Sequence, residues 1–283
     1  MEIEAADGGR LRVHVAELGE GPPVLMLHGW PQHAGAWRRV APLMAGSHRL
    51  ICPDLRGFGS SDAPGRGYDP ETFAADALAL LDALGLERAA LVGHDWGGFG
   101  GFLACFAAPE RIDAFVALNT PIPWARPTPR LLASAWRSWY ALVMASPTGP
   151  RILRRRPDWM AKGMRRDMVH ADSITEEEAL QYARVLARPD SARATQLLYR
   201  SYLRFVGSSF RRERAPRLTV PTRLLFGTND GVLSTEVVKG HEGHADDMEV
   251  ELVEDSGHFI PEEKPELVAE RALELFRSVR ASG

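Results

Sequence analysis

Short apolar runs that stop abruptly in turn residues constrain this chain more than any other feature. "PVLMLHG" (23–29) and "RLICPD" (49–54) are almost unbroken by polar residues, and "AALVGHD" (89–95) and "AFVALNT" (114–120) have the same character. A strand with one wetted face alternates apolar and polar residues; a strand covered on both faces does not. Between the runs lie longer segments with helical spacing, "ETFAADALALLDALGL" (71–86) and "GFGGFLACFAAPE" (98–110). Buried strands separated by helices predict an α/β fold with a mostly parallel, doubly wound sheet. "LRVHVAEL" (11–18) alternates and reads as one further strand.

The rhythm breaks at "PIPWARPTPR" (121–130), where four prolines interrupt it. From there to about residue 214 the chain reads as helices only: "RLLASAWRSWYALVMAS", "DWMAKGMRRDMVH", "TEEEALQYARVLA" and "SARATQLLYRSYLRF". Ser173 and Glu176 have capping-box spacing ahead of the third. Strands return with "TRLLFG" (222–227) and "MEVELVE" (248–254), followed by a helix from Pro265. The expected organisation is an α/β core from residues 1–121 and 215–283 with a helical cap, 122–214, inserted between core strands. The arginine clusters 154–156 and 211–214 read as solvated helix faces.

The chain has 283 residues, 45% of them apolar and 25% charged, with a net charge of −3, values ordinary for a globular protein and with nothing to suggest a polyanion partner. No nucleic-acid or membrane partner is expected, and a monomer or homodimer suffices. The start "MEIEAADGGR" lacks the pattern of a secretory leader, and Cys52 and Cys105 both lie in apolar sequence. Together these predict a cytoplasmic protein with reduced cysteines.

In a parallel sheet the carboxyl ends of the strands open onto a shared crevice. Four strand ends carry chemistry. "HGWP" (28–31) offers a glycine for close backbone approach and a Trp30-Pro31 bond that can be cis. "GHDWGG" (93–98) places Asp95 between glycines at a strand-to-helix turn, the pattern of a nucleophile elbow with aspartate where serine is usual. A helix N-cap is the commoner role for such an aspartate, but a simple cap has no use for glycines on both sides. "FGTND" ends at Asp230 and "DSGHF" carries His258, each just past a strand. The order nucleophile, acid, histidine fits a catalytic triad. Asn119, not an acid, follows "AFVAL", so the acid is placed at Asp230. "HEGH" (241–244) has two histidines three apart and no nearby third ligand, so no metal site is expected.

These pieces, with "DLRGFGSSD" (54–62) and "GHFIPEEKPE" (257–266), make the chain resemble the α/β-hydrolase superfamily over essentially its whole length, and within it the epoxide hydrolases. The resemblance implies that Asp95 forms an alkyl-enzyme ester and that His258, oriented by Asp230, activates the water that hydrolyses it. It further implies an oxyanion hole from the Trp30 and Trp96 backbone N–H groups, with His28 and Pro31 beside it. Epoxide hydrolases supply two cap tyrosines to the epoxide oxygen. Tyr140 and Tyr199 stand in similar contexts, with Tyr202 a rival for the second role. "MASP" replaces the aromatic-glutamine pair that often follows the first tyrosine. A tyrosine hydroxyl, titrating near about 10 when unperturbed, is a suitable donor at neutral pH. The implied substrate is a small-molecule epoxide, the product a vicinal diol, and neither metal nor organic cofactor is required. Haloalkane dehalogenases share the aspartate but typically pair the tryptophan after it with an asparagine following "HG", where this chain has Trp30. A tryptophan of the insertion (Trp124, Trp136, Trp139 or Trp159) is the possible substitute. Fluoroacetate-type enzymes carry an arginine at the position of Trp96. A non-catalytic ligand-binding role would fit the loss of a triad member, and none is lost.

Overall fold

The computed structural model describes the chain except for residues 7, 126–127, 210–215 and 283; the predicted basic cluster 211–214 therefore lies outside the described residues. An antiparallel hairpin of β1 (Glu2–Glu4) and β2 (Arg10–Arg12) precedes the main sheet. That sheet holds β3 (Val15–Leu18), β4 (Pro23–Leu27), β5 (Arg49–Pro53), β6 (Ala89–His94), β7 (Ile112–Leu118), β8 (Thr222–Gly227) and β9 (Met248–Val253). Their spatial order is β3-β5-β4-β6-β7-β8-β9, all parallel except β3, which runs antiparallel to β5. The run 11–18, read as one strand, is divided between the hairpin and the main sheet.

The unbroken apolar strands are explained by two cores. Leu25, Leu27, Leu91, Phe115 and Phe226 face one side, packing with Phe73, Leu80 and Phe102 of the helices Pro70–Ala83 and Trp96–Ala107. Val24, Met26, Val92, Val116 and Leu225 face the other, against Val268, Ala272 and Phe276 of Pro265–Ser282. Neighbouring residues alternate in direction and both faces are covered, so each must be apolar. Cys52 and Cys105 are free thiols, one in each core.

After β4 the chain first adds β5 on one side and then β6 on the other, so the crevice falls at the ends of β4 and β6. The turns after these two strands are 28–31 and 95–98.

Between β7 and β8 the described residues form helices and turns, and no strand of the sheet. The segment read as one helix from 130 is two, Pro129–Ser134 and Trp139–Ala145, joined by a tighter 3₁₀ turn. Thr148–Arg155 is a further helix, with Pro147 and Pro150 where it begins and Arg154 and Arg155, read as part of a helix face, in its last turn. Then come Pro157–Arg166, Glu176–Leu186 and Pro189–Ser209. The capping box exists two residues later than expected: Thr175 and Glu178 bond reciprocally, whereas Ser173 lies in the preceding turn.

The loop after β5 is held by a buried ion pair. Arg56 Nε and Nη2 donate to Asp76 Oδ2 and Oδ1, both at 2.5 Å. Asp76→Ala would strand a buried guanidinium. It is expected to destabilise the fold by about 3–5 kcal/mol, read as a lowered urea midpoint; a change below about 1 kcal/mol would contradict this role.

Candidate active site

β6 ends at His94, and one residue later the chain enters the helix Trp96–Ala107. Asp95 sits at that turn with φ 50° and ψ −115°, a conformation L-residues rarely adopt. Such a residue costs on the order of 1–3 kcal/mol and persists only where its surroundings fix it. Here the Asp95 N–H donates to Leu118 O of β7 at 3.0 Å, and the Phe99 N–H donates to Asp95 O at 2.9 Å. Tight packing does the rest. A Cβ on Gly97 would lie 2.3 Å from Leu27 O, and one on Gly29 would lie 2.5 Å from the Asp95 Cβ. These two glycines let the elbow and the β4 loop touch.

Asp95 occupies the N-cap position, but its side chain does not cap the helix. The carboxylate turns into the crevice. Trp30 N–H donates to its Oδ2 at 3.0 Å, and the Trp96 N–H also bonds the carboxylate. The two predicted oxyanion-hole donors therefore converge on one group. Burial raises the Asp95 carboxyl to about 6, against the pull of His258 and of these two N–H groups.

His258 Nε2 lies 4.0 Å from Asp95 Oδ1, and His258 Nδ1 bonds Asp230 Oδ2 at 2.8 Å. Asp230 is buried and multiply bonded: its Oδ1 accepts from the Val232 and Leu233 N–H groups, each at 2.7 Å. Burial works to raise its carboxyl, but His258 and these donors hold it below the usual range. Burial likewise works against the His258 cation; Asp230 first, then Asp95 and Asp167, overcome it and lift the imidazole to about 9.

The other wall comes from the helical insertion. Tyr140 lies on Trp139–Ala145 and Tyr199 on Pro189–Ser209, their ring centroids 5.6 Å apart and their hydroxyls hydrogen-bonded to one another. Burial and then nearby anionic groups, Asp95 among them, push both phenols well above their ordinary value, so both keep their protons. Trp30 stacks on Tyr140 and meets Tyr199 edge-on. Tyr202 stands further round, against Trp96, with its hydroxyl hydrogen-bonded to Ser138.

Two further residues of "HGWP", expected beside the oxyanion hole, are both buried. His28 is fully buried, its Nδ1–H donating to Gly29 O at 3.0 Å and its Nε2 accepting from the Leu55 N–H at 2.9 Å. Burial depresses it to about 4, so it is neutral and braces two loops. Pro31 follows a cis Trp30-Pro31 bond and is buried. Glu254 is exposed, and Asp255, also exposed, pairs with His170 Nε2 at 2.8 Å. His244 of "HEGH" stacks on Trp124.

Three supporting residues escaped the sequence reading. Asn119 Nδ2 donates to Asp230 Oδ2 at 2.8 Å and to Gly257 O at 3.1 Å, tying acid to histidine loop. His94 Nε2–H donates to His258 O at 2.8 Å, and burial lowers His94 to about 3. Asp167, from the insertion, accepts the His258 N–H on its backbone oxygen at 3.4 Å. The place of Asn119, at a strand end like the triad members, was a signal available to find it.

Comparison with known proteins gives the family. The sequence model of the alpha/beta hydrolase fold matches residues 22–265. A soluble epoxide hydrolase of Corynebacterium sp. (strain C12) is 30% identical over 281 residues, covering 95% of each chain. This chain belongs to the alpha/beta hydrolase family, in its epoxide hydrolase branch. Among solved structures, that of epoxide hydrolase CorEH without ligand superposes with a TM-score of 0.83 at 27% identity, covering 99% of this chain and 98% of the other. A fluoroacetate dehalogenase of Burkholderia sp is 32% identical, but over 58% of this chain and 56% of its own length.

Folding favours the protonated His258, because its value rises from 6.5 to about 9. Its contribution to stability is full below pH 6.5 and is lost as pH rises through about 9. An NMR titration of the His258 ring is expected to show a larger fall in Asp230→Asn than in Asp95→Asn. A ring still titrating near 9 in Asp230→Asn would contradict the assignment of its main partner.

Proposed function

We propose that the protein is an epoxide hydrolase working through an Asp95 ester. The observation that carries this reading is a nucleophile-ready carboxylate facing two mutually bonded tyrosine hydroxyls across one crevice. Asp95 Oδ1, the oxygen not held by Trp30 N–H, attacks an epoxide carbon. The ring C–O bond breaks, and its electron pair goes to oxygen, which takes a proton from the Tyr140–Tyr199 pair. A neutral phenol costs little to keep protonated at pH 7 yet stabilises the developing alkoxide by hydrogen bonding.

The ester removes the Asp95 charge, one of the anions that hold His258 protonated. The imidazole then gives up its proton, which returns to the tyrosinate left by ring opening, and serves as general base. It takes a proton from water, whose oxygen attacks the Asp95 carbonyl carbon. Negative charge grows on Oδ2, already beside the Trp30 and Trp96 N–H groups. On collapse the C–O bond to the diol breaks, its oxygen takes the proton that His258 removed from water, and the Asp95 acid that remains returns its proton to His258, restoring the carboxylate.

A dehalogenase would need donors for a leaving halide. Trp30 Nε1 is committed to Thr195 Oγ1 at 3.2 Å, and Trp124 Nε1 to Pro216 O at 3.1 Å. Trp136, Trp139 and Trp159 are exposed. Trp96 is left as one indole beside Asp95, and no arginine follows the nucleophile to grip a carboxylate. The assembled triad likewise disfavours a non-catalytic ligand-binding fold.

Diol formation from styrene oxide and halide release from 1-bromobutane, measured separately, test the reading: the first is expected to exceed the second, and the reverse would overturn it. Tyr140→Phe with Tyr199→Phe should slow ester formation by about 10²–10⁴-fold, while Tyr202→Phe, whose hydroxyl is engaged by Ser138, should stay near wild type. A double variant that alkylates normally would remove the tyrosines from the mechanism.

A further inference from the structure

The insertion carries a charge unlike the rest of the chain. Residues 130–166 hold nine basic side chains (Arg130, Arg137, Arg151, Arg154, Arg155, Arg156, Lys162, Arg165, Arg166) and one acid, Asp158, a net of +8 in a protein of net −3. Within this stretch Arg156 pairs with Asp158, Arg165 pairs with Glu176, and Arg137 is tied to the Asp230 and Leu233 carbonyls. Arg151, and one turn on Arg154 and Arg155, are exposed on the helix Thr148–Arg155 and have no acidic or hydrogen-bonding partner among the described residues.

The same stretch exposes large apolar side chains. Trp136 is 70% exposed, Trp139 55%, Leu142 63% and Trp159 40%. Residues 136, 139 and 142 recur every three positions, as one stripe. Trp159, Lys162 and Arg166 share a second stripe on Pro157–Arg166. Burying these tryptophans inside the protein would have been the ordinary outcome; leaving four large side chains exposed in one short segment marks a surface that meets something apolar. Tryptophan beside arginine is the composition of a membrane interface, where the indole sits at headgroup depth and the guanidinium meets anionic lipid.

We propose that this face of the insertion docks on an anionic phospholipid bilayer. The attachment is peripheral, since no helix among the described residues is long and apolar enough to cross a membrane. It departs from the sequence-based expectation of no membrane partner, which rested on the absence of a spanning run and on a net charge that averages out this segment. It does not depend on the reaction assigned to Asp95. It does place the contact close to that site: Trp139 and Leu142 face outward from the helix whose Tyr140 faces Asp95. An apolar substrate dissolved in lipid would then be released one helix away from the crevice.

Co-sedimentation with sucrose-loaded vesicles tests the proposal, using phosphatidylcholine alone and phosphatidylcholine with about 30% phosphatidylglycerol. Each basic residue near such a surface is worth about a fivefold change in partitioning. The protein is expected to bind the anionic vesicles at least about tenfold better, less so at high salt. Arg151→Glu/Arg154→Glu/Arg155→Glu should abolish the preference, and Trp136→Ser/Trp139→Ser/Leu142→Ser should weaken binding about tenfold or more. In the unaltered protein, brominated lipid should quench tryptophan fluorescence, a reading that needs no variant to fold. Equal binding to both vesicles, no quenching, or variants that bind like wild type would overturn the proposal. So would sedimentation velocity showing that the stripe is covered by a second copy, with a dimer that becomes monomeric in the tryptophan variant.

Discussion

Everything at this site depends on one carboxylate held at the end of β6 by backbone rather than by side chains. Asp95 is aimed by its own strained φ, pinned by Leu118 O and Phe99 N–H, and met by Trp30 N–H. The arrangement leaves no room for a Cβ on Gly29 or Gly97. Two opposed demands follow. A group that will attack carbon must be ionised, yet burial lifts its carboxyl to about 6. His258 and the two N–H groups restore the anion without quenching it, because the imidazole stands at 4.0 Å and is itself anchored on Asp230.

The insertion is braced to this centre rather than merely laid over it. Glu263 Oε1 accepts from Gly257 N–H, next to His258, while its Oε2 accepts from the Val169 and His170 N–H groups of the insertion. Arg137 Nη1 donates to Asp230 O at 3.1 Å. Farther out, Arg38 and Gln32 of the core and Tyr182 of the insertion converge on buried Glu262. These bonds fix where Tyr140 and Tyr199 stand relative to Asp95. Charge pairs of this kind satisfy buried groups and set geometry more than they add net stability.

Strand ends were legible in the sequence because a two-faced burial leaves an unmistakable apolar run, and the residues just after β4, β6, β8 and β9 carry the triad and the Trp30 donor. The motif order alone placed Asp95, Asp230 and His258 together. What the sequence does not carry is the set of neighbours in space. His28 looks like a site residue by position, yet both ring nitrogens are spent on Gly29 and Leu55. His94 and Asn119 act through hydrogen bonds to residues more than 100 positions away, which no local pattern encodes. The choice between Tyr199 and Tyr202, one turn apart on a helix, rests on which hydroxyl meets Tyr140 and which meets Ser138. The break in 130–146 was hidden because its apolar spacing suits either one helix or two.

The central claim is that Asp95 attacks carbon and not merely a water proton. A single turnover in heavy-oxygen water, with enzyme in excess over epoxide, tests it most directly. The account predicts an unlabelled diol, with the label appearing in the Asp95 peptide after water attacks the ester carbonyl. Heavy oxygen in the diol of that first turnover would contradict it and make Asp95 a base.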